Sequence, residues 1–538
     1  MQRKWFICVL AIVFIAVALL HFSSVSAELN LFWGDDPYYI ILAKSLASLN
    51  GYRSFEPGYP PHTHWPPVFP LMLTPVVWLF GINYTAFHIL VVITELTALV
   101  FLYLLFKEQE GKLIAVLAVV LFSLNPFVNR YLVRIMSEFP YLLLTAIALL
   151  LAEKTEKKYQ PRVQYFWLPI TVVAVYLTRM AGLTLLVAFL FYRLYLRQFK
   201  ALLWNCLIVI TPYLFWIFRA RAVKINRWSS YPSSIWLKSY LDPALGQVGF
   251  LDFLDRIKSN LQSISHDICN YFLPYTHDHS SYVLLLICGF ILTGFISRWL
   301  KKQNRLMEFY VFCYILLLSI WPVCEPRKLM PIVPFLYIYL FVGIKRLAVL
   351  FLRRGGVISA RRQNLWRIPV ILIIGIFLIE GQIPSTWALV KFRSMPNYYP
   401  RPGSQEYDGL AIDWSHHFLS YSWVKRNNFQ WNVLQRADYI FLSRLIGEIT
   451  PPDTVVYARK PFVTALISGR HTNVYPYSRN FDKQSENIIR DQVDYILVDG
   501  FFPETFSYLI PYIEANPQNF QVVARKGRAS LLKVQWID

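Results

Sequence analysis

The chain is a succession of apolar runs of helical length, separated by short polar loops. The first extends from Trp5 to about Phe22. Others lie near 86–106, 113–126, 138–152, 166–178, 182–196, 201–218, 281–299, 306–322, 328–346 and 368–387. A hydrocarbon layer of roughly 30 Å takes about 20 helical residues to cross, so the pattern predicts an α-helical polytopic membrane bundle of about eleven spans. The stretch 68–81 is also apolar, but it is short and contains Pro70 and Pro75. Proline removes a hydrogen bond from a helix interior, so an interfacial or re-entrant helix is expected there.

The loop charges set the orientation. Lys107 and Lys112 lie in one loop, and Lys154, Lys157, Lys158 and Arg162 in another. Arg193, Arg197 and Lys200 follow, then Arg298, Lys301, Lys302 and Arg305, then Arg353, Arg354, Arg361 and Arg362. All fall on the side of Arg3 and Lys4, which the positive-inside rule makes cytoplasmic. The loops 23–85 and 219–280 and the C-terminal part are then extracytoplasmic, although 219–280 is itself basic. A plasma or inner membrane location is expected. Ser24-Val25-Ser26-Ala27 has the form of a signal-peptidase site. The first run is read as a retained span in preference to a removed leader, and either reading leaves Asp35 outside.

From about residue 388 the composition becomes that of a soluble domain, which divides the chain into 1–387 and 388–538. Strands are predicted at Asp453–Tyr457, Thr472–Tyr475 and Tyr495–Val498. Helices are predicted at Pro461–Ser468 and Ser485–Gln492, and a terminal hairpin at Phe520–Arg525 and Ser530–Val534. This is a small α/β domain. Its Asp494 and Asp499 flank a strand, with no nucleophile or phosphate loop beside them, which suits an acceptor-facing or structural lid.

Composition agrees with a membrane protein: 56% of residues are hydrophobic and 16% charged. The net charge of +21 comes from 53 Lys and Arg against 32 Asp and Glu. In a membrane chain such an excess sets topology and attracts anionic headgroups, so no nucleic-acid partner is expected. The six cysteines show no Cys-x-x-Cys spacing. Cys269 and Cys324 fall outside the membrane, and spacing does not tell whether they pair. His62 and His64 flank Thr63, and His277 and His279 flank Asp278. These pairs make a divalent metal a candidate cofactor, although such short pairs are more often incidental. No other cofactor is expected. Asn83-Tyr84-Thr85 matches a glycosylation sequon.

The candidate chemistry lies in the first outer loop. Asp35-Asp36-Pro37-Tyr38-Tyr39 opens a proline- and aromatic-rich stretch that closes on His64-Trp65-Pro66-Pro67. Two adjacent carboxylates at the mouth of a span are costly to desolvate. Neighbouring residues point about 100° apart on a helix, so the pair cannot serve one cavity together. One is expected to act as a base, and the other to cap or orient a helix from Pro37 to Leu49. Their repulsion is expected to favour protonation of one of them.

This loop resembles the first loop of the GT-C membrane glycosyltransferases of the protein O-mannosyltransferase and aminoarabinose-transferase type. The resemblance rests on Asp35-Asp36-Pro37-Tyr38-Tyr39, Ala43, Leu46, Gly51-Tyr52 and Trp65-Pro66-Pro67-Val68-Phe69-Pro70-Leu71. Arg134-Ile135-Met136-Ser137-Glu138-Phe139-Pro140, Thr178-Arg179-Met180-Ala181-Gly182 and Arg327-Lys328-Leu329-Met330-Pro331 resemble later outer segments. Trp65 and Tyr38 stand where the aminoarabinose branch has Lys and Arg, which makes lipid A modification the less expected outcome.

The resemblance implies a GT-C-like bundle and transfer of a sugar from a polyprenyl-phosphate donor, with inversion, on the extracytoplasmic face. The acceptor would be a glycolipid, a polysaccharide or a protein, and membrane lipids would surround the site. Asp35 falls on the family's catalytic position, with Asp36 and Glu138 beside it as catalytic candidates. Arg134, Arg179, Arg327 and Lys328 sit at outer span ends, and with Tyr38 and His64 they are the candidates for the lipid phosphate. A basic residue at a span end also simply snorkels to headgroups. The competing class is a transporter or flippase for a lipid-linked or polar solute, which would need charged or broken helices at mid-membrane depth. A third reading is a membrane-anchored binding protein that works through its outer domain.

Overall fold

The computed structural model describes residues 2–25, 35–222, 235–238, 245–274, 281–300, 305–354, 367–378, 382–383, 386–387 and 429–535. Each apolar run is helical wherever it is described. The first helices are α1 (Gln2–Phe22), α2 (Asp36–Ala47), α3 (Val68–Phe80), α4 (Tyr84–Glu110), α5 (Lys112–Leu124), α6 (Pro126–Tyr131) and α7 (Glu138–Lys157). Next come α8 (Leu168–Thr178), α9 (Leu183–Tyr195), α10 (Phe199–Ala222), α11 (Phe250–Phe272), α12 (Ser281–Trp299) and α13 (Leu306–Ile320). The short α14 (Pro326–Leu329) leads through a 3-10 turn into α15 (Val333–Arg354), and α16 spans Arg367–Phe377.

Local chemistry sets several boundaries. Asn83 caps α4 by accepting a hydrogen bond from the Ala86 amide at 3.0 Å. The sequon asparagine therefore has a structural use. Gly111 separates α4 from α5 at φ 87°, a backbone state that side chains rarely adopt. Gly294 of α12 and Gly343 of α15 let two backbones touch. A Cβ at Gly294 would lie 1.8 Å from the Tyr339 carbonyl oxygen, and one at Gly343 would lie 2.0 Å from that of Phe290. Close approach through small residues is a common means of packing helices where lipid removes the hydrophobic drive.

Among the described residues, four stretches are long and apolar enough to cross a bilayer: Tyr84–Glu110, Phe199–Ala222, Tyr282–Trp299 and Pro326–Leu350. Others expected to span, such as Lys112–Leu124 and Leu306–Ile320, are shorter apolar helices. Thirteen residues rise only about 20 Å. The helix α1 is tied to the bundle by His21, whose Nδ1 lies 2.7 Å from Glu95 and Nε2 3.0 Å from the Ser123 carbonyl. The six cysteines are all unpaired, Cys269 and Cys324 included.

The region 219–280, expected as a loop, contains the long amphipathic α11. Asn260 on its buried face donates to the carbonyls of Leu318, Ser319 and Trp321 at 3.2, 2.9 and 2.7 Å. These are carbonyls at the end of α13, where a helix has no partners of its own.

The C-terminal part begins, among the described residues, with α17 (Phe429–Ile449), which the sequence reading did not anticipate. There follow β1 (Val455–Ala458), α18 (Pro461–Ser468), β2 (His471–Asn473), α19 (Phe481–Arg490) and β3 (Tyr495–Val498). The chain ends in α20 (Ile510–Ala515), β4 (Phe520–Lys526) and β5 (Ala529–Val534). The five strands form one sheet in the order β2-β1-β3-β5-β4. Strand β1 runs parallel to β2 and β3, and β5 is antiparallel to β3 and β4. The predicted α/β character holds. The helix predicted from Ser485 starts earlier, because Asn480 caps it on the Lys483 amide at 3.1 Å. The expected boundary near 388 lies outside the described residues.

Candidate active site

Helix α2 is clamped from two sides. Tyr39, Ile40 and Ala43 share an apolar cluster with Phe69 and Ile135 from the bundle side and with Tyr439, Val463 and Leu497 from the C-terminal part. Proline in the first turn of α2 leaves Asp35 at the N-cap, and its side chain makes no capping hydrogen bond. A carboxylate that caps nothing is available for other work.

Asp36 points the other way and is fully buried. Its Oδ1 accepts from the Ile135 amide at 2.6 Å. Burial lifts its carboxyl to about 7 against the opposing pull of Arg134 and the Ile135 amide, with Asp35 the smallest contribution. The expected protonation is present, but loss of water drives it more than repulsion between neighbours. Asp36 is a clasp between α2 and the segment before α7.

The five residues from Arg134 to Glu138 spread the site out. Arg134, 1% exposed, faces Asp36. Met136 sulfur lies 3.9 Å from Arg134 Nη1 and 3.8 Å from Arg327 Nη1, between the two guanidiniums. The Ser137 hydroxyl bonds the Tyr39 hydroxyl at 3.1 Å and accepts from Arg179 at 3.3 Å. Glu138 pairs with Arg179 at 2.7 Å and with Arg327 at 3.5 Å. Arg327 also reaches Asp35 at 3.8 Å. Asp35, Arg327, Glu138 and Arg179 thus form one chain of charge. Glu138 Oε2 and Arg327 Nε are buried and make no hydrogen bond among the described residues.

Arg179 and Lys328 both line an apolar cavity of about 270 Å³, walled by Leu183, Val187, Tyr314, Leu317 and Trp321 among others. Lys328 Nζ donates to the Val323 carbonyl at 2.7 Å. Two cations at the rim of a greasy slot suit an amphiphile with an anionic head.

Tyr38 and His64 take other places. Tyr38 is 4% exposed, and its hydroxyl meets Ser54 at 2.8 Å and His62 at 3.1 Å. Its ring packs on Trp65 at 4.2 Å. Its hydroxyl is thus engaged within the first loop. His64 lies edge-on to Trp65 at 4.3 Å. Burial lowers its imidazole to about 4, so the ring is neutral near pH 7 and a weak partner for a phosphate. Arg134 lies buried near Asp36 and beside the Met136 sulfur.

Of the two histidines of this loop, His62 has both ring nitrogens engaged. His62 Nε2 accepts from the Trp65 amide at 2.8 Å, so Nδ1 carries the proton toward Tyr38. Among the described residues no three His, Cys, Asp or Glu side chains come together as ligands. His277, Asp278 and His279 lie outside the described residues. In the C-terminal part, Asp494 accepts from the Val455 amide at 2.8 Å. Asp499 accepts from the Phe501 and Phe502 amides at 3.1 and 2.7 Å. Both carboxylates hold loops.

A sequence-family model described as dolichyl-phosphate-mannose-protein mannosyltransferase matches residues 64–216. Similar solved structures include ArnT from Cupriavidus metallidurans bound to undecaprenyl phosphate. It is 13% identical, with 99% of this chain and 98% of that chain covered and a TM-score of 0.55. The chain has the GT-C fold. This GT-C fold also covers 91% of this chain and 68% of the Archaeoglobus fulgidus oligosaccharyltransferase tethered with an acceptor peptide, at 13% identity and a TM-score of 0.51. No curated protein sequence matches the chain. The family match contains Arg134, Glu138 and Arg179 but neither Asp35 nor Arg327. Folding brings those two onto the matched segment. Sequence reasoning missed Tyr39, Ser137 and Met136 as members of the network, although Ser137 and Met136 lie inside a quoted motif.

Proposed function

We propose that this GT-C membrane protein is a glycosyltransferase that moves a sugar from a polyprenyl-phosphate donor to an acceptor hydroxyl on the extracytoplasmic face, with inversion. The observation that carries the reading is the convergence of Asp35 with Arg327, Glu138 and Arg179 beside an apolar cavity rimmed by Arg179 and Lys328. Two similar folds support the donor class. ArnT was solved with undecaprenyl phosphate, and the Archaeoglobus fulgidus AglB with dolichol-phosphate, the latter at 12% identity, 92% and 69% coverage and a TM-score of 0.50.

In this mechanism the donor chain lies along the apolar cavity, and its phosphate meets Arg179, Lys328 and Arg327. Asp35 takes the proton of the acceptor hydroxyl as its oxygen attacks the sugar's anomeric carbon. The bond from that carbon to the phosphate oxygen breaks, and the electron pair leaves on the phosphate. Charge grows there and is met by guanidiniums already in position. Glu138 keeps the two arginines from repelling one another. A single displacement with one base inverts the anomeric centre. Eleven or so spans with an outer first loop and C-terminal part complete the topology.

The test is Asp35→Asn in the full chain in nanodiscs, with a radiolabelled polyprenyl-phosphate sugar and a mixed acceptor pool from envelope extract. Transfer falls about 10³-fold or more while donor binding and the melting temperature stay unchanged. Wild-type transfer in that variant would remove Asp35 as the base. Passage of donor across a liposome bilayer without any transfer would instead favour the flippase reading.

A further inference from the structure

A cavity of about 680 Å³ lies where α2 and the loop after it face the C-terminal part. One wall carries Lys44 and Ser48, a turn apart at the end of α2, and then Asn50, Arg53 and Tyr59. The other carries Leu466 of α18 and, just beyond that helix, Arg470. The cavity shares no lining residue with the apolar one rimmed by Arg179 and Lys328. One turn toward Asp35 on the same face of α2, the Tyr38 ring packs against Phe55 at 5.0 Å and Phe462 at 6.2 Å. Rings fill the space along this face, which sets the cavity apart from the active centre.

Three cations line this cavity and no carboxylate does. Among the described residues none of the three has an ion-pair partner, and the Lys44 ammonium donates no hydrogen bond. Arg53 uses Nε on the Asn50 carbonyl at 2.9 Å and Nη1 on the Tyr59 carbonyl at 3.0 Å, which leaves Nη2 for a ligand. Arg470 bonds only neutral oxygens, with Nη2 2.6 Å from the Gly447 and Thr450 carbonyls. Like charges that share a cleft raise its potential, and an anion relieves it. The Ser48 and Asn50 side chains make no hydrogen bond among the described residues either. Tyr59 is 52% exposed and has φ 47°, a left-handed state rare for a bulky residue. Its amide bonds the Glu56 carbonyl at 2.9 Å, and its ring meets His471 edge-on at 4.4 Å. Strain of this kind is commonly kept where it serves a site.

We propose that this cavity is a second binding site, for a saccharide that carries carboxylate or phosphate groups. Lys44, Arg53 and Arg470 meet the anionic oxygens. Ser48 and Asn50 meet hydroxyls, and the exposed Tyr59 ring offers an apolar body with a polar tip to a sugar ring. The volume is in the range that takes a ligand of drug size, larger than a lone phosphate. None of the lining residues lies in a strand of the sheet, so an acidic peptide finds no edge to pair with. A glycan chain held here keeps its free end at high local concentration near the transfer centre. That role rests on the transferase reading, whereas the binding site does not.

Binding is measured on the full chain in nanodiscs of zwitterionic lipid. The probes are fluorescein-labelled tetragalacturonate, mannotetraose 6-phosphate and neutral mannotetraose. At least one acidic probe is expected to bind about 10-fold or more tightly than the neutral one, with an affinity that falls as salt rises. Lys44→Gln and Arg53→Gln should each weaken it about 10-fold, and Lys44→Arg should keep it. Lys44 bonds to nothing among the described residues, so its variants still decide if Arg53→Gln misfolds. Asp35→Asn should bind the probes as wild type does. Transfer retained in Asp35→Asn would thus defeat the base and leave this site standing. Equal binding of the neutral probe, or unchanged affinity in Lys44→Gln, would overturn the site. A glutamate tetrapeptide that bound as tightly as the acidic saccharides would overturn the saccharide assignment. So would displacement of the probe by phosphatidylglycerol vesicles but not by unlabelled tetragalacturonate.

Discussion

Two clusters of arginine and glutamate stand at opposite ends of the α4–α7 pair. At one end Arg298 donates to Glu308 and Glu110 at 2.5 Å each and to Gln109 at 3.0 Å. The three charged side chains are 6%, 1% and 2% exposed. At the other end Arg327 sits 3.5 Å from Glu138 and 3.8 Å from Asp35, and it is 20% exposed with Asp35 at 32%. The residue types are the same. The first cluster uses most of its five guanidinium N–H donors internally and shuts water out. The second is loose, partly wet and leaves a buried donor unbonded. A closed network contributes to the fold, whereas an open one has capacity left for a ligand.

The comparison can be broken most severely at Asp35. Its asparagine variant should lose transfer and keep stability, which is the signature of an open cluster. The mirror-image result is expected from Arg298→Met. Removing one member of a buried ionic triad strands two carboxylates and costs about 3–5 kcal/mol. Thermal unfolding in detergent reads this loss, while turnover per folded molecule stays at the wild-type level. If Arg298→Met instead lowered turnover without changing stability, the contrast between the two ends would collapse.

Arg327→Met sharpens the contrast on the catalytic side. Loss of one donor aimed at developing charge lowers kcat about 10²- to 10³-fold. Binding of undecaprenyl phosphate, followed by tryptophan fluorescence, should weaken in parallel. Asp36 supplies a pH test. Its folded value is about 7 against an ordinary 3.8, so between these values the folded chain keeps a proton that the unfolded chain has released. This group's contribution to stability is therefore full below the lower value and is lost as pH rises through the upper one. Asp36→Asn keeps a carbonyl for the Ile135 amide and should flatten the decline between about pH 4 and 7 in denaturation midpoints. The smallest effect is expected from Tyr38→Phe. It removes hydrogen bonds to Ser54 and His62, costs about 1 kcal/mol and leaves the donor KM untouched.

Much of the bundle was legible because periodicity and span length are local properties. The runs at 281–299 and 182–196 became helices with nearly the expected limits. Pro461–Ser468 and Tyr495–Val498 likewise matched, each bounded by turn residues such as Gly469 at φ 67°. The helices α11 and α17 were missed since both are strongly mixed in polarity and lie in segments dominated by charged and turn-forming residues. Within the site, Asp35, Glu138, Arg179 and Arg327 stood out as charges at span ends. Arg134 stood out for the same reason and is buried near Asp36, whereas Tyr38 and His64 were named from the first-loop motif and pack around Trp65. A charge at a span end looks alike in sequence whether it faces a cavity or a carboxylate.

The amino-acid order alone determined that this is a helical membrane chain with an α/β tail and an acidic pair at the head of the loop after its first apolar run. Those features follow from apolar run length, strand alternation and the cost of leaving carboxylates in lipid. Tertiary packing decided which aspartate is open and which is buried, because adjacent side chains diverge and only the neighbours of α2 say where each one lands. It also decided that residues 35, 138, 179 and 327 converge, since contacts between distant segments depend on how the helices dock. No local pattern carries that information.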